Sequence, residues 1–298
     1  MPTTAADNAA HAATERRAGA DLADPPDFVE DTDRTLTPGS EDGRYVSEQT
    51  YWEDYYFESD IQYEWNNGRV EEKPVSDYAT ILVYQWLMAL LRHYLKARPI
   101  ATYVTLNMGF RLRLPGRVVV RKPDFGVVRH DNPQPLLPHD ASYHGVFDLC
   151  VEALPELKRR DIERDAVTKK GEYAAAGVPE YYILHADPEH QAFFTRTESG
   201  LYVPIEPADG VIHSQVLPGF RFRGSDLTAQ PDDEALRDDP VYADFVLPGW
   251  RADRERAEAE AARAEAEGAA RADAEARARD AEAALARLRA RLDDAQGD

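Results

Sequence analysis

The chain has 298 residues, of which 43% are apolar, enough for one sizeable core with appendages or for two small domains. Its single cysteine, Cys150, excludes an intrachain disulfide scaffold, and its formal net charge of −20 argues against a simple electrostatic DNA-binding protein. The N-terminal region lacks the apolar stretch of a secretory signal, and the longest apolar run, Tyr78 to Leu91, is too short to span a bilayer. We therefore expect a cytoplasmic protein.

Composition divides the chain into four segments. Residues 1–44 are rich in Ala, Asp, Thr and Pro and show no apolar periodicity, which predicts disorder. A core domain follows at 45–227, and then an acidic, proline-punctuated linker at 228–250. The tail at 251–298 consists almost entirely of Ala, Arg, Glu and Asp, which predicts a long helix.

The tail has a short apolar stripe near its end. Leu285, Leu288 and Leu292 share one helical face, and Ala278 and Ala281 extend that face weakly upstream. A coiled coil and a solvated single helix both fit this pattern. The three leucines favour the coiled coil.

Turn and capping signals separate the elements of the core domain. Ser47 fits a helix N-cap, Ser76 or Asp77 fits another, and Asn66-Asn67-Gly68 is a strong hairpin turn signal. In chain order we predict a helix at 47–55, hairpin strands at 62–65 and 69–73, a helix at 77–96, strands at 103–114, 118–121, 124–129 and 147–154, a helix at 161–176, and strands at 180–184, 192–196 and 201–205. This order predicts an α/β or α+β core, with helices against a mixed sheet.

The middle of the chain is its most basic part. Much of the acid lies in the first segment and near residues 232–239, whereas five cations cluster in the middle segment: Arg111, Arg113, Arg117, Arg121 and Lys122. These cations could form a basic face despite the negative total charge.

Charged residues at the ends of apolar strands indicate a site. Asp124 begins one apolar strand, and Glu152 lies near the end of another. A carboxylate at a buried strand end is costly unless it is exposed, paired or metal-bound, so the two could converge on one Mg²⁺. Asp165, Lys169 and Tyr173 share a face of the following helix, and a nearby ammonium would stabilise charge on a phosphate.

Four motifs succeed one another in a specific order. They are Tyr63-Glu64-Trp65-Asn66-Asn67-Gly68, Pro123-Asp124, Val151-Glu152-Ala153-Leu154, and a run from Asp165 through Lys169 and Tyr173 to Gly177-Val178-Pro179-Glu180-Tyr181-Tyr182-Ile183. In these motifs the chain resembles the Uma-type endonucleases, a bacterial branch of the PD-(D/E)XK superfamily with its restriction-endonuclease-like fold. The resemblance covers roughly residues 47–222.

The resemblance implies roles for named residues. Asp124 and Glu152 correspond to ligands of Mg²⁺ or Mn²⁺, and Glu64 to an acid that approaches the same site. Lys169 corresponds to the catalytic lysine, moved onto the helix from its usual superfamily position, which is Leu154 here. The implied activity is hydrolysis of DNA phosphodiester bonds, and analogy with enzymes of this fold implies a homodimer.

Structural interpretations and other function classes stay open at this point. Asp124 could cap the turn after its proline, Glu64 could be a surface acid of the hairpin, and Glu152 and Lys169 could form ordinary surface ion pairs. The alternative function is an inert nuclease-fold scaffold or interaction protein that assembles through its C-terminal helix. That alternative rests on three features of the sequence: Leu154 stands where the superfamily usually has its lysine, the net charge is −20, and the C-terminal tail is long. A nucleotide or RNA phosphodiesterase is a third, less supported hypothesis.

Overall fold

The computed structural model describes residues 37–154 and 164–296. The helices are α1 (Glu48–Thr50), which continues as a π-helical turn (Tyr51–Tyr56), α2 (Tyr78–Ala97), a second π-helical turn (Arg164–Lys169) leading into α3 (Lys170–Ala176), a 3₁₀ turn (Pro188–His190), α4 (Asp226–Ala229), α5 (Asp233–Asp238) and α6 (Pro248–Gln296). The strands are β1 (Tyr63–Asn66), β2 (Arg69–Glu72), β3 (Ala101–Val104), β4 (Phe110–Leu114), β5 (Arg117–Arg121), β6 (Phe125–Arg129), β7 (Leu149–Ala153), β8 (Glu180–Leu184), β9 (Ala192–Arg196), β10 (Tyr202–Pro204), β11 (Val211–His213) and β12 (Arg221–Arg223).

The described strands form a central mixed sheet and two smaller antiparallel sheets. The central sheet has six strands in the order β10-β9-β8-β7-β6-β3, and β7 and β8 are its parallel pair. A four-stranded sheet has the order β2-β1-β5-β4, and β11 pairs with β12. Helix α2 packs on one face of the central sheet and α3 on the other. The predicted α/β class, with a mixed sheet flanked by helices, is confirmed.

Local sequence explains where several elements begin and turn. The Asp77 side chain caps α2 by accepting a hydrogen bond from the Thr80 backbone, as the sequence predicts. Asn67 and Gly68 have φ angles of 46° and 106°, which the two-residue turn between β1 and β2 requires. Gly177 ends α3 in the left-handed conformation, with φ of 94°.

The two-residue period of β7 decides which side chain faces which helix. Leu149 and Val151 pack on the side of α2, whereas Cys150 and Leu154 pack on the side of Tyr173 in α3. Cys150 is a free, buried thiol in this core. Glu152 has the same parity as Cys150, so its side chain points towards α3.

One predicted strand is in fact two. The segment 103–114 is divided between β3 of the central sheet and β4 of the four-stranded sheet. Leu106 and Asn107 break it, with φ angles of 58° and 57°. Gly109 follows, and a Cβ atom there would lie 2.8 Å from the Tyr56 ring, so glycine lets the chain pass this aromatic side chain. The apolar alternation on both sides of the break conceals it in the sequence.

Two predicted boundaries need correction. The segment 228–250 is not a linker, because Leu236, Tyr242, Phe245 and Val246 are buried in the same cluster as α2. The acidic residues of this segment lie on the outer side of short helical turns. Its average composition is therefore acidic and does not reveal the buried apolar residues. The predicted disorder of residues 1–36 lies outside the described residues. Residues 37–44 are ordered against the hairpin; for example, the Gly43 backbone donates to the Val70 carbonyl at 2.8 Å.

The predicted C-terminal helix is present as α6. Every side chain described between Ala252 and Arg289 is exposed, including Leu285 and Leu288. Whether α6 forms a coiled coil remains a prediction. No helix in the described part of the chain is long and apolar enough to cross a membrane.

Candidate active site

Asp124 and Glu152 lie opposite each other on neighbouring strands. The antiparallel register of β6 and β7 pairs Phe125 with Val151, so the residues one step further along are Asp124 and Glu152. The Ala153 backbone donates to Asp124 Oδ2 at 2.6 Å, which fixes the aspartate against β7. Carboxylates that face each other across strands repel, and Glu152 is only 1% exposed. This pair therefore needs a cation.

The cation is Lys73, which follows β2. Its Nζ lies 2.8 Å from Asp124 Oδ1 and 3.8 Å from Glu152 Oε2, and it also donates to the Lys122 carbonyl at 2.5 Å. Burial alone would lower the pKa of Lys73, but the neighbouring Asp124 and Glu152 carboxylates outweigh burial and raise it above its usual value. Lys73 is therefore a charged ammonium between the two acids.

Lys169 joins this pair to a third acid. Its Nζ lies 3.1 Å from Glu152 Oε1 and 3.1 Å from Glu64 Oε1, and all three side chains are almost fully buried. Tyr173, one helical turn beyond Lys169, donates from its hydroxyl to the same Glu152 oxygen at 2.8 Å. Burial, together with the Glu152 charge, raises the pKa of Tyr173 well above its usual value, so it remains a proton donor.

A buried arginine anchors Glu64 from the other side. Glu64 and Glu71 are register partners on β1 and β2, and Arg121 Nη1 bridges them at 3.1 and 2.7 Å. The same guanidinium binds both oxygens of Glu172 through Nε and Nη2, at 2.6 and 3.1 Å. Arg121 thus ties three acids together, and the Lys122 backbone also donates to Glu64 Oε1 at 2.9 Å.

The structure brings together all four residues that the sequence singles out. Asp124, Glu152, Lys169 and Glu64 form one cluster linked by lysines, and neither Glu64 nor Lys169 lies on the surface. Asp165, the first residue of the predicted helical face, has a side chain outside the described residues. Tyr173, the last residue of that face, is buried and hydrogen-bonded to the cluster.

Sequence reasoning missed two cations of the site. Lys73 approaches because the hairpin returns it beside Gln62, whose carbonyl accepts from the Lys73 backbone at 2.8 Å, and no local pattern shows that contact. Arg121 did have a signal, since it ends the apolar strand Val118-Val119-Val120, where an unpaired charge is costly.

The expected basic face is smaller than predicted. Arg121 is 0% exposed and Lys122 is 3% exposed, so neither contributes to a surface. Arg111 is paired with Glu48, with its Nη2 2.9 Å from Glu48 Oε2. Of the predicted cluster, Arg113 and Arg117 remain exposed. Strand alternation and the need to neutralise buried acids direct the other cations inward.

Asp124 and Glu152 could supply two ligands to a divalent ion, but not a complete coordination shell. Among the residues that the structure describes, no group of three His, Cys, Asp or Glu side chains is arranged to hold a metal ion. Asp124 and Glu152 nevertheless converge on one cationic point, the Lys73 ammonium. Two carboxylates completed by water and substrate phosphates are a usual Mg²⁺ environment, so the residues present are compatible with such an ion.

Comparison with known proteins identifies the family. Residues 48–230 match the model of the Uma2 family, described as "Putative restriction endonuclease". Because this match covers more than half of the chain, the protein belongs to that family, as the sequence motifs predict. Among solved structures, the chain is similar to a "putative nuclease belonging to DUF820 from Anabaena variabilis ATCC 29413", with a TM-score of 0.44 and 13% identity over 58% of this chain and 92% of that chain. No curated protein matches the chain.

Proposed function

We propose that the protein is an endonuclease that hydrolyses DNA phosphodiester bonds with the help of Mg²⁺ or Mn²⁺. The observation that carries this proposal is the convergence of three acids on two lysines, from elements that are distant in sequence. Lys73 contacts Asp124 and Glu152, and Lys169 contacts Glu152 and Glu64. Membership of a family described as restriction endonucleases supports the same reaction class.

The chain's own groups divide the work at the phosphate. Asp124 and Glu152 would hold the ion, which when bound polarises a phosphoryl oxygen and lowers the pKa of water. The Ala153 backbone keeps Asp124 in place, and the Tyr173 hydroxyl keeps Glu152 in place. Lys169 is the ammonium nearest to Glu152 on the α3 side, where it can stabilise negative charge that develops on the phosphate.

A surface groove supports nucleic acid as the substrate. It has a volume of about 650 Å³, and its lining includes Trp52, Phe57, Arg113 and His144. None of the described residues that line it is acidic, although the whole chain carries −20. Aromatic side chains interleaved with cations suit stacked bases and a phosphate backbone.

The groove is connected to the acidic site through Tyr56. The Trp52 and Tyr56 ring centroids are 4.6 Å apart, and Lys122 Nζ lies 4.2 Å from the centroid of the Tyr56 ring. Lys122 in turn precedes Pro123 and Asp124 in the chain. We therefore propose that nucleic acid lies in this groove, next to the segment that leads into Asp124.

Cleavage assays test the proposed activity directly. The full chain is incubated with supercoiled, linear duplex and single-stranded DNA, with Mg²⁺, with Mn²⁺ and with a chelator. We expect metal-dependent cleavage that falls by about 1,000-fold or more in Asp124→Ala. Asp60→Ala, a change of an exposed aspartate outside the site, is the control and should cleave normally. A wild-type protein inert on every DNA form with both ions would overturn the proposal.

The C-terminal helix favours a second, compatible proposal, that the protein is a homodimer. Leu285 and Leu288 are 51% and 59% exposed on α6. With these leucines at the core positions of a parallel coiled coil, Arg277 of one copy faces Glu282 of the other, which is an attractive pair. Sedimentation of the full chain should show a dimer that becomes a monomer in the double variant Leu285→Glu, Leu288→Glu. A wild-type monomer would refute it.

A further inference from the structure

The Asp124–Glu152 pair is already neutralised by the chain itself. Both residues belong to neighbouring strands, and their carboxylates share the Lys73 ammonium at 2.8 and 3.8 Å. Lys169 and Tyr173 occupy the remaining side of Glu152 through its Oε1 atom. The two oxygens that face Lys73, Asp124 Oδ1 and Glu152 Oε2, are the pair that would converge on a divalent ion.

The position of Lys73 fits an occupant that can leave. Its backbone is fixed by the hydrogen bond to Gln62, but its ammonium sits at the end of a flexible four-carbon side chain. The Asp124 side chain is 21% exposed, so solvent and ions reach the pair from that side. The contact with Glu152 is long at 3.8 Å, which makes Asp124 the stronger of the two partners.

Arg121 shows what a permanent bridge looks like in the same protein. It is completely buried and contacts Glu64, Glu71 and both oxygens of Glu172, so it cannot leave without exposing several acids. Lys73 has one short carboxylate contact, one long one and a hydrogen bond to the Lys122 carbonyl, so its departure would leave one close carboxylate partner rather than three acids. The two cations therefore differ in how readily another cation could replace them.

We propose that Lys73 is a tethered competitor of the divalent ion: its ammonium holds Asp124 and Glu152 together in the metal-free protein and leaves when the ion binds. This inference rests on the proposed function for the identity of the ion. It adds that metal affinity is set by displacement of Lys73. A divalent ion and the Lys73 ammonium repel each other at the separation that these shared oxygens impose. Binding of either cation therefore weakens binding of the other.

Calorimetric titration with Mn²⁺ alone tests the competition without any substrate. The full chain is compared with Lys73→Met, which keeps the length and apolar stem of the side chain but removes its charge. We expect Mn²⁺ to bind Lys73→Met about tenfold or more tightly than wild type, a gain that follows from removing one competing ion pair. Lys73→Arg retains the charge and should stay as weak as wild type.

A matched control separates competition from general electrostatics. Lys170 lies next to Lys169 in the chain, but its Nζ sits 3.7 Å from the centroid of the Phe194 ring. Lys170→Met therefore removes one positive charge near the site and should leave Mn²⁺ affinity within about twofold of wild type, since it frees no ligand oxygen. Lys73→Gln provides a second neutral variant in case Lys73→Met does not fold, as judged by circular dichroism.

The outcomes separate this inference from the nuclease proposal. Tighter Mn²⁺ binding by Lys73→Met or Lys73→Gln, but not by Lys170→Met, supports competition even if no variant cleaves DNA. Unchanged or weaker binding in the neutral variants overturns it, and weaker binding would make Lys73 a residue that positions the ligands. Absence of Mn²⁺ binding in every protein, neutral variants included, also overturns it, whereas the cleavage assay judges the nuclease activity separately.

Discussion

Two pairs of carboxylates face each other across neighbouring strands of this protein, and they are neutralised differently. Glu64 and Glu71 are register partners in the β1–β2 hairpin, and the Arg121 guanidinium bridges them. Asp124 and Glu152 lie opposite each other at the end of β6 and β7, and the Lys73 ammonium bridges them. In both pairs antiparallel strands bring the two carboxylates together, and the cation that bridges them differs.

We propose that this difference separates a structural ion cluster from a reactive one. A guanidinium offers five donors in a rigid fork and is always charged, which suits a closed cluster. An ammonium is a single point charge that water or another cation can replace. The Asp124 side chain is 21% exposed and Glu71 is 14% exposed, while Lys73 is 7% exposed and Arg121 is 0% exposed. The pair bridged by lysine is therefore the more open of the two, and it is the one that we propose accepts a metal ion and a phosphate.

Removal of Arg121 should have the largest effect on stability and would show that its pair is structural. Arg121→Met leaves Glu64, Glu71 and Glu172 without their shared partner, so we expect a loss of about 3–5 kcal/mol in the free energy of unfolding. Arg117 also contacts Glu172, at 3.0 Å, but is 40% exposed, so Arg117→Met should cost about 1 kcal/mol or less. Urea denaturation measures both, and equal losses would contradict the distinction.

Substitution of Lys169, the cation that joins the two clusters, should have the next largest effect. Lys169 lies 3.1 Å from both Glu64 and Glu152, and Lys169→Met should lower the rate of DNA cleavage by roughly 100- to 1,000-fold, because it removes one positive group at the phosphate. Lys170→Met is the control and should cleave at nearly the wild-type rate. If Lys169→Met lost stability but kept its cleavage rate per folded molecule, Lys169 would belong with Arg121 as a structural cation.

The acids of this site were easier to predict from the sequence than its cations. Asp124 and Glu152 stand out because each lies beside the apolar residues of a strand, Asp124 before one and Glu152 near the end of another. Strand alternation turns Glu152 towards α3. Glu64 and Lys169 needed the family motif, since a hairpin acid and a helix lysine are usually solvated. Lys73 was missed because its role depends on how the β1–β2 hairpin approaches β6, and that is a tertiary contact without a local pattern.

In the fold, too, local features were predictable from the sequence and tertiary contacts were not. Caps and turns such as Asp77, Gly68 and Gly177 act on their own neighbours, so the sequence placed them correctly. The division of the strands between two sheets depends on where chain segments meet. For the same reason the apolar anchors of residues 228–250, such as Tyr242 and Phe245, were hidden by an acidic average composition.

Lys122 is also a buried cation, but among the described residues its ammonium forms no ion pair with a carboxylate. Burial lowers its pKa to about 8. An unfolded lysine keeps its proton to about pH 10.4, so between these values the native state binds fewer protons than the unfolded state. The free energy of unfolding should therefore rise with pH across this window.

The measurement is the difference in unfolding free energy between wild type and Lys122→Met at pH 7.5 and at pH 10. Titrations shared by both proteins cancel in that difference, so the remaining change reports Lys122. We expect wild type to gain on the order of 1–3 kcal/mol relative to the variant as pH rises. A difference independent of pH would mean that Lys122 keeps its charge through a partner comparable to that of Lys73.

The smallest effect on stability is expected for an ion pair that is exposed to solvent. In α6, Arg271 Nε lies 3.1 Å from Glu275 Oε1, a distance similar to those of the buried pairs, but the two side chains are 83% and 55% exposed. Solvent screens this attraction, and ordering two long side chains opposes it, so Arg271→Ala should change the free energy of unfolding by less than about 0.5 kcal/mol. Arg271→Lys keeps the positive charge and is the control for Arg271→Ala. The difference in unfolding free energy between the two variants reports the loss of the charge. A cost for Arg271→Ala approaching that of Arg121→Met would show that α6 is covered by a partner, because only loss of water could give an exposed pair the strength of a buried one.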